Sequence, residues 1–171
     1  SRRRHTRYPL VTGVQTCALP ILGYNTNLKV NPPLRPEKDR KALIKGIKDD
    51  IIDCITTHHT AQHKDAKVCE FEYAGYGTLG LEAAFGMLLA TGLTKEEILS
   101  CISQKPREIF NIKGKIEVSE DADLTLFEDS HFSKFDHQHN KSKSSNSAYI
   151  GLEMKGKILG TICKEKFNQI S

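Results

Sequence analysis

A β-branched apolar run, Ile51 to Thr57, reads Ile-Ile-Asp-Cys-Ile-Thr-Thr and stops at His58 and His59. A β-branched run of this length predicts a buried parallel strand, with polar residues at its C-terminal end. In a βα-barrel that end faces the active site. Upstream, Leu28 to Asn31 predicts a short strand closed by Pro32 and Pro33, which cannot extend a ladder. Pro36 suits the first turn of a helix, and Leu43, Ile44 and Ile47 give that helix one apolar face through about Lys48. Strand, helix and strand make a βαβ unit of a parallel sheet.

Thr60 to Gly77 has no clean period and predicts a long βα-loop of the kind that builds sites. Leu81, Ala84, Phe85, Leu88 and Leu89 fall at helical spacing, which predicts a helix over 79–91 ended by Gly92. Thr94 to Glu97 is a capping box opening a helix through about Ser103. Pro106 starts a further short helix that ends near Phe110. Beyond Gly114 the period changes to two. Ile116 and Val118, then Leu124, Leu126 and Phe127, predict strands. His131 to Ser147 is polar and low in complexity, and predicts an exposed loop. Tyr149–Glu153 and Lys157–Cys163 predict a hairpin turning at Lys155-Gly156. From about residue 114 onward the chain therefore predicts a small β-structure, too small to bury much core without partner strands.

Composition changes this picture little. The chain has 171 residues, 38% hydrophobic and 27% charged, the profile of a globular protein. No apolar run approaches the ~20 residues that span a bilayer. Five cysteines without paired spacing read as reduced thiols of a cytoplasmic protein. The net charge of +4 suggests nucleic acid, but Arg2, Arg3, Arg4 and Arg7 account for all of it. Removing those four from the 25 basic residues leaves 21, against 21 acidic ones. The body of the chain is neutral and carries no basic face.

Residues 1–21 read Ser-Arg-Arg-Arg at their start, and their short apolar part is broken by Gly13, Gln15 and Pro20. That makes a poor secretory signal. The stretch closely resembles translated sequencing-adapter sequence and is read as a non-native, disordered tail. On that reading the native sequence begins near Leu22 with more upstream.

Asn31-Pro32-Pro33-Leu34-Arg35 is followed 27 positions on by His58-His59, and then by Tyr76-Gly77 and Gly80-Leu81-Glu82. Ala122-Asp123-Leu124, Ser145-Asn146-Ser147, Gly151 and Lys155-Gly156-Lys157 follow in order. This series resembles the C-terminal part of dihydroorotase, over essentially all of Leu22 to Phe167. The resemblance implies an α/β amidohydrolase fold, a (β/α)8 TIM-type barrel flanked by a small composite β-sandwich. Residues 22–112 would be the last βα units of the barrel, and 113–171 the C-terminal strands of the sandwich. It implies reversible hydrolysis of dihydroorotate to carbamoyl aspartate, with one or two zinc ions that polarise the carbonyl and supply hydroxide. Most zinc ligands would lie upstream of this chain. Expected partners are the small-molecule substrate and either a second copy of the protein or aspartate carbamoyltransferase.

Carried over position by position, the resemblance makes Asn31 a substrate-binding amide that pairs with a pyrimidine edge. Tyr76 and Gly77 fall where backbone groups contact the substrate ring, Tyr76 replacing a more usual Phe. Where the family reads Asp-His-Ala-Pro-His, this chain reads His58-His59-Thr60-Ala61-Gln62. His58 therefore occupies the position of an aspartate that is both metal ligand and general acid/base. Gln62 occupies that of a histidine that binds the substrate carboxylate. An imidazole can shuttle a proton or ligate zinc, though not easily both. Gln62 is neutral where a positive charge would meet a carboxylate; His63 lies one residue later.

Blander readings apply to the other candidates. His58 and His59 also fit satisfied polar residues of a loop. Cys54, His58, His59, His63 and Cys69 match no closed zinc spacing, and Cys54 reads as a small hydrophobe. His131, His137 and His139 sit among lysines and serines, and read as solvated. Glu82 reads as a helix-dipole charge. Two further functions stay open: a non-catalytic homologue kept as a structural partner, and a hydantoinase or allantoinase relative.

Overall fold

The computed structural model describes Leu10–Val11, residues 23–114 and residues 116–170. Pro36 precedes the first helix, α1 (Glu37–Lys48), in extended conformation. Glu37 and Asp39 lie in its first turn and Lys45 and Lys48 in its last, each sign complementing the helix dipole. Ile47 is its buried residue, with Ile44 packed alongside.

Strand β2 is shorter than the apolar run predicts: Ile55–Thr56 rather than Ile51 to Thr57. Asp50 takes a left-handed φ of 56°, and the amides of Ile51 and Ile52 both donate back to Gly46 O, at 2.8 and 3.0 Å. Those donors finish α1 and are lost to any ladder. β2 pairs in parallel with β1 (Leu10–Val11), Leu10 opposite Ile55. The other residues of the stretch read as foreign lie outside the described residues. Leu28 to Asn31, read as a strand, follows a 3-10 turn at Thr26–Leu28 and makes no ladder.

Helix α2 (Leu81–Leu89) serves two cores at once. Leu88 joins Ile47, Ile55, Leu93, Ile98 and Cys101 on one side. Ala83 and Met87 meet Phe135 and Met154 on the other. Gly92, at φ 84°, follows the helix. The Thr94 capping box opens α3 (Lys95–Leu99). A π-helical stretch, Ser100–Gln104, then runs straight into α4 (Lys105–Ile109), so the two predicted helices are one continuous rod. No described helix is long and apolar enough to cross a membrane.

The C-terminal part is a three-stranded antiparallel sheet in the order β3 (Asp123–Lys134), β4 (Glu153–Cys163), β5 (Lys166–Gln169). Three expectations are corrected here. Ile116 and Val118 form no strand and are 85% and 97% exposed: their alternation finds no partner among the described strands. Glu153–Cys163 is a single strand, so no hairpin turns at Lys155-Gly156. Gly156 does take a turn-like φ of 87°, but at a β-bulge facing α2, where an added Cβ would lie 2.6 Å from Leu89 Cδ1. The real hairpin turn is at Lys164, φ 54°, between β4 and β5. Finally, His131 to Ser147 is not all exposed loop. β3 runs on through Lys134, and Phe135, Asn146 and Ser147 are buried.

Candidate functional site

The rim begins where β2 stops. His58 turns the chain with a left-handed φ of 45°, and Thr60 Oγ1 donates to its carbonyl at 3.0 Å. Such a conformation costs a non-glycine residue on the order of 1 kcal/mol. The His58 imidazole is exposed, with no hydrogen-bond partner among the described residues. His59 does something different. Its Nδ1 accepts from the amides of Gly80 and Leu81, both at 3.2 Å. These are unsatisfied donors at the start of α2, so His59 caps that helix. As acceptor, Nδ1 carries no proton in this arrangement.

The loop at Tyr76 and Gly77 collects the rest. The Gly77 amide donates to Lys29 O at 2.9 Å, and the Thr60 amide donates to Thr78 O at 2.9 Å. The segment leading to Asn31 and the segment leaving His58 are therefore fastened to one short stretch of backbone. Gly77 has φ 130°, and an added Cβ would lie 2.7 Å from the Thr60 side chain, so only glycine fits. Tyr76 is 58% exposed, with Lys29 Nζ 4.9 Å from its ring centroid. Gln62 Nε2 donates to Tyr76 O at 2.7 Å, so the Gln62 amide holds the loop as well as facing the rim. Asn31 is exposed, at the end of the segment that Lys29 anchors. His63 Nδ1 accepts from the Asp65 amide at 3.3 Å, capping a 3-10 turn at Lys64–Ala66.

Three residues that matter to this geometry make contacts that no local pattern reveals. Lys29 Nζ donates to Phe71 O and Glu72 O at 2.9 and 2.6 Å. Lys67 is buried, and its Nζ donates to Thr26 O and Gly75 O at 2.9 and 2.7 Å. Burial pushes the Lys67 pKa down, and the nearby positive charge of Lys29 adds to that. Asn146 arrives from the C-terminal part: its Oδ1 accepts from the Gln62 amide at 3.0 Å. A lysine or asparagine in a polar loop is ordinarily solvated, and only the fold shows where these point.

The family model described as "Amidohydrolase family" matches residues 13–167. This chain belongs to the amidohydrolase family. It is 40% identical to the dihydroorotase of Clostridium acetobutylicum over 152 residues, 85% of this chain and 36% of that protein. It is 41% identical to that of Ruminiclostridium cellulolyticum, over 82% of this chain and 34% of the relative. The chain thus spans about a third of the length of the curated relatives it matches. Among solved structures it is similar to the L-hydantoinase of Arthrobacter aurescens, with a TM-score of 0.74, 24% identity and coverage of 87% of this chain and 37% of that one. A D-hydantoinase from Thermus sp. gives a TM-score of 0.72 at 20% identity, over 85% and 35%. The mixed helix-and-strand fold of this amidohydrolase chain is that of the hydantoinase structures.

Relatives of this kind are generally metal-dependent. Among the described residues, no three His, Cys, Asp or Glu side chains converge on a point that could hold a metal ion. At the rim the His58 imidazole is open, and one imidazole is not a metal site. Cys54, Cys69, Cys101 and Cys163 are free thiols, and burial raises the pKa of Cys54 and Cys101.

Proposed function

We propose that this chain is the C-terminal part of a dihydroorotase-type cyclic amidohydrolase of the cytoplasm, which interconverts dihydroorotate and carbamoyl aspartate in pyrimidine synthesis. In this reading residues 22–112 supply the last βα units of a (β/α)8 barrel and 113–171 the C-terminal strands of its flanking sandwich. Residues 1–21 are foreign in this reading on their adapter-like sequence, while the family match itself opens at residue 13. The identity to curated dihydroorotases over most of this chain carries the reading. The hydantoinase likeness, at 24% identity or less, speaks to fold alone.

Asn31 offers an amide to a pyrimidine edge. The Gly77 amide is spent on Lys29 O, so the loop has for a ligand the Tyr76 amide and the second lone pairs of the Tyr76 and Gly77 carbonyls. His58 holds or passes a proton at the open rim. Zinc belongs to the whole protein. This chain's described residues gather no group of three ligands for it, so no step through the metal is derived from them.

The test joins residues 23–170 to the N-terminal two thirds of the Clostridium acetobutylicum enzyme, and assays dihydroorotate hydrolysis with zinc. Weak turnover is expected. His58→Asp with Gln62→His should raise it by at least about tenfold, since a positioned acid/base contributes roughly 100-fold or more. Metal-bound protein with no turnover in either form rejects the reading.

A second reading is a non-catalytic structural partner of aspartate carbamoyltransferase. The Gln62 amide supports it, being neutral and tied to Tyr76 O where a charge would meet a carboxylate. Failure of the double substitution to restore turnover, together with co-purification of the transferase, would favour it.

A further inference from the structure

Asn146 lies 69 positions from Gly77 and 86 from Thr60, yet its side chain joins the loops that carry them. It is 5% exposed. Oδ1 accepts from the Gln62 amide at 3.0 Å and from Ser144 Oγ at 2.8 Å. Nδ2 donates to Thr60 O at 3.0 Å and to Gly77 O at 3.3 Å. Both hydrogens and one lone pair are in use, and the second lone pair shares the Ser144 hydroxyl with Gln62 O. A flipped amide would set its NH2 group against the Gln62 N–H, so the surroundings dictate the orientation.

The neighbouring residues reinforce the junction. Asn146 O accepts from the Leu79 amide at 3.0 Å and from Thr78 Oγ1 at 3.1 Å. Ser144 Oγ also lies within hydrogen-bond reach of Gln62 O, so its single hydrogen is shared between that carbonyl and Asn146 Oδ1. Ser147 Oγ donates to Leu79 O at 3.3 Å, and the Ala148 amide donates to Thr78 Oγ1 at 2.9 Å. Across this gap the two rim loops share one direct backbone bond, Thr60 N–H to Thr78 O, besides the Gln62 side chain on Tyr76 O. Neither apolar cluster includes Asn146. Its bonds go to the backbone of both the loop that bears Gln62 and the loop that bears Gly77.

We propose that Asn146 is a positioning residue for the site: it sets the distance between the His58–Gln62 loop and the Tyr76–Gly77 loop. The C-terminal segment Ser144–Ala148 is then a clamp on the rim rather than a connector. That this rim faces substrate rests on the functional reading above; the clamp itself does not.

Amide hydrogen exchange on the full 171-residue chain tests the clamp without any turnover, so an inactive enzyme in the earlier assay leaves this result standing. In the unmodified chain the amides of Thr60, Gln62, Gly77 and Leu79 are expected to be protected and to open together. Asn146→Ala should lower protection at Gln62 and Gly77 by about tenfold, while α1 and β4 keep theirs. Asn146→Asp keeps an oxygen for the Gln62 amide but turns a carboxylate on two carbonyls. It should spare Gln62 and expose Thr60 and Gly77. A passive gap-filling asparagine would not give that split. Equal loss throughout the chain, or no loss at the rim, overturns the proposal. Should Asn146→Ala not fold, an unprotected Gln62 amide in the unmodified chain overturns it as well.

Discussion

Two adjacent histidines face opposite tasks. His59 gives its Nδ1 to the first amides of α2, whereas the His58 ring is open at the rim. Nothing in the dipeptide distinguishes them; the turn at His58, with its positive φ, does. Lys67 makes the same point for charge. It is 7% exposed and bonded to the Thr26 and Gly75 carbonyls. Lys67→Met should leave Gly75 O without its donor and Thr26 O with the Lys29 amide alone, and cost about 1–3 kcal/mol, read as a lower urea midpoint at pH 7. The pH dependence has a definite sign. Burial depresses the folded-state pKa of Lys67, so between that value and the ordinary lysine value the unfolded chain binds more protons. The stability that Lys67 contributes is present above the unfolded-state value and is lost as pH falls through the folded one. The gap between the wild-type and Lys67→Met midpoints should therefore widen from pH 7 to pH 10; a constant gap would mean that burial does not act on this amine.

Among the elements, α2 decides the architecture, because it is the element shared by the two apolar clusters. It approaches β4 so closely that a Cβ on Gly86 would sit 2.9 Å from Met154 Cβ and 3.2 Å from Lys155 O. Alanine is the better helix former by about 1 kcal/mol, yet overpacking costs about 1–3 kcal/mol. Gly86→Ala should therefore lower the urea midpoint; an unchanged or raised midpoint would show that α2 can slide off the sheet. At this scale the helices were legible and the strands less so. The α1 face, the Gly92 stop and the Thr94–Glu97 box are local devices that need no distant partner. Ile51 and Ile52 have the composition of a strand, but their amides had already been taken by Gly46. Gly156 has the φ of a turn, which a bulge in an unbroken strand also requires.

For the whole molecule, the open apolar surface is the main physical fact. A groove beside β2 and α2 is lined by Ile55, Ala84, Leu88, Ile102, Leu124 and Phe127. Ile116, Val118 and Phe132 are exposed on the β-rich part. Surface of this kind marks an interface or an association liability. In dilute buffer the chain should bind a hydrophobic dye, and its mean mass in sedimentation should rise with concentration. A dye-silent monomer at every concentration would contradict this.

The order of residues alone determined the family, through the Asn31–Arg35 motif and the spacing that follows it, and it determined the helices and the Thr94–Glu97 capping box. Those depend on groups a few positions apart, or on a series of motifs that survives without any knowledge of contacts. The tertiary structure alone decided which histidine stands open, that Gln62 holds Tyr76, that Lys67 is buried, and that Asn146 reaches Thr60 across 86 positions. Each of those outcomes turns on which donor meets which acceptor after the chain has folded, and a polar side chain in a loop carries no local mark of the partner it will find.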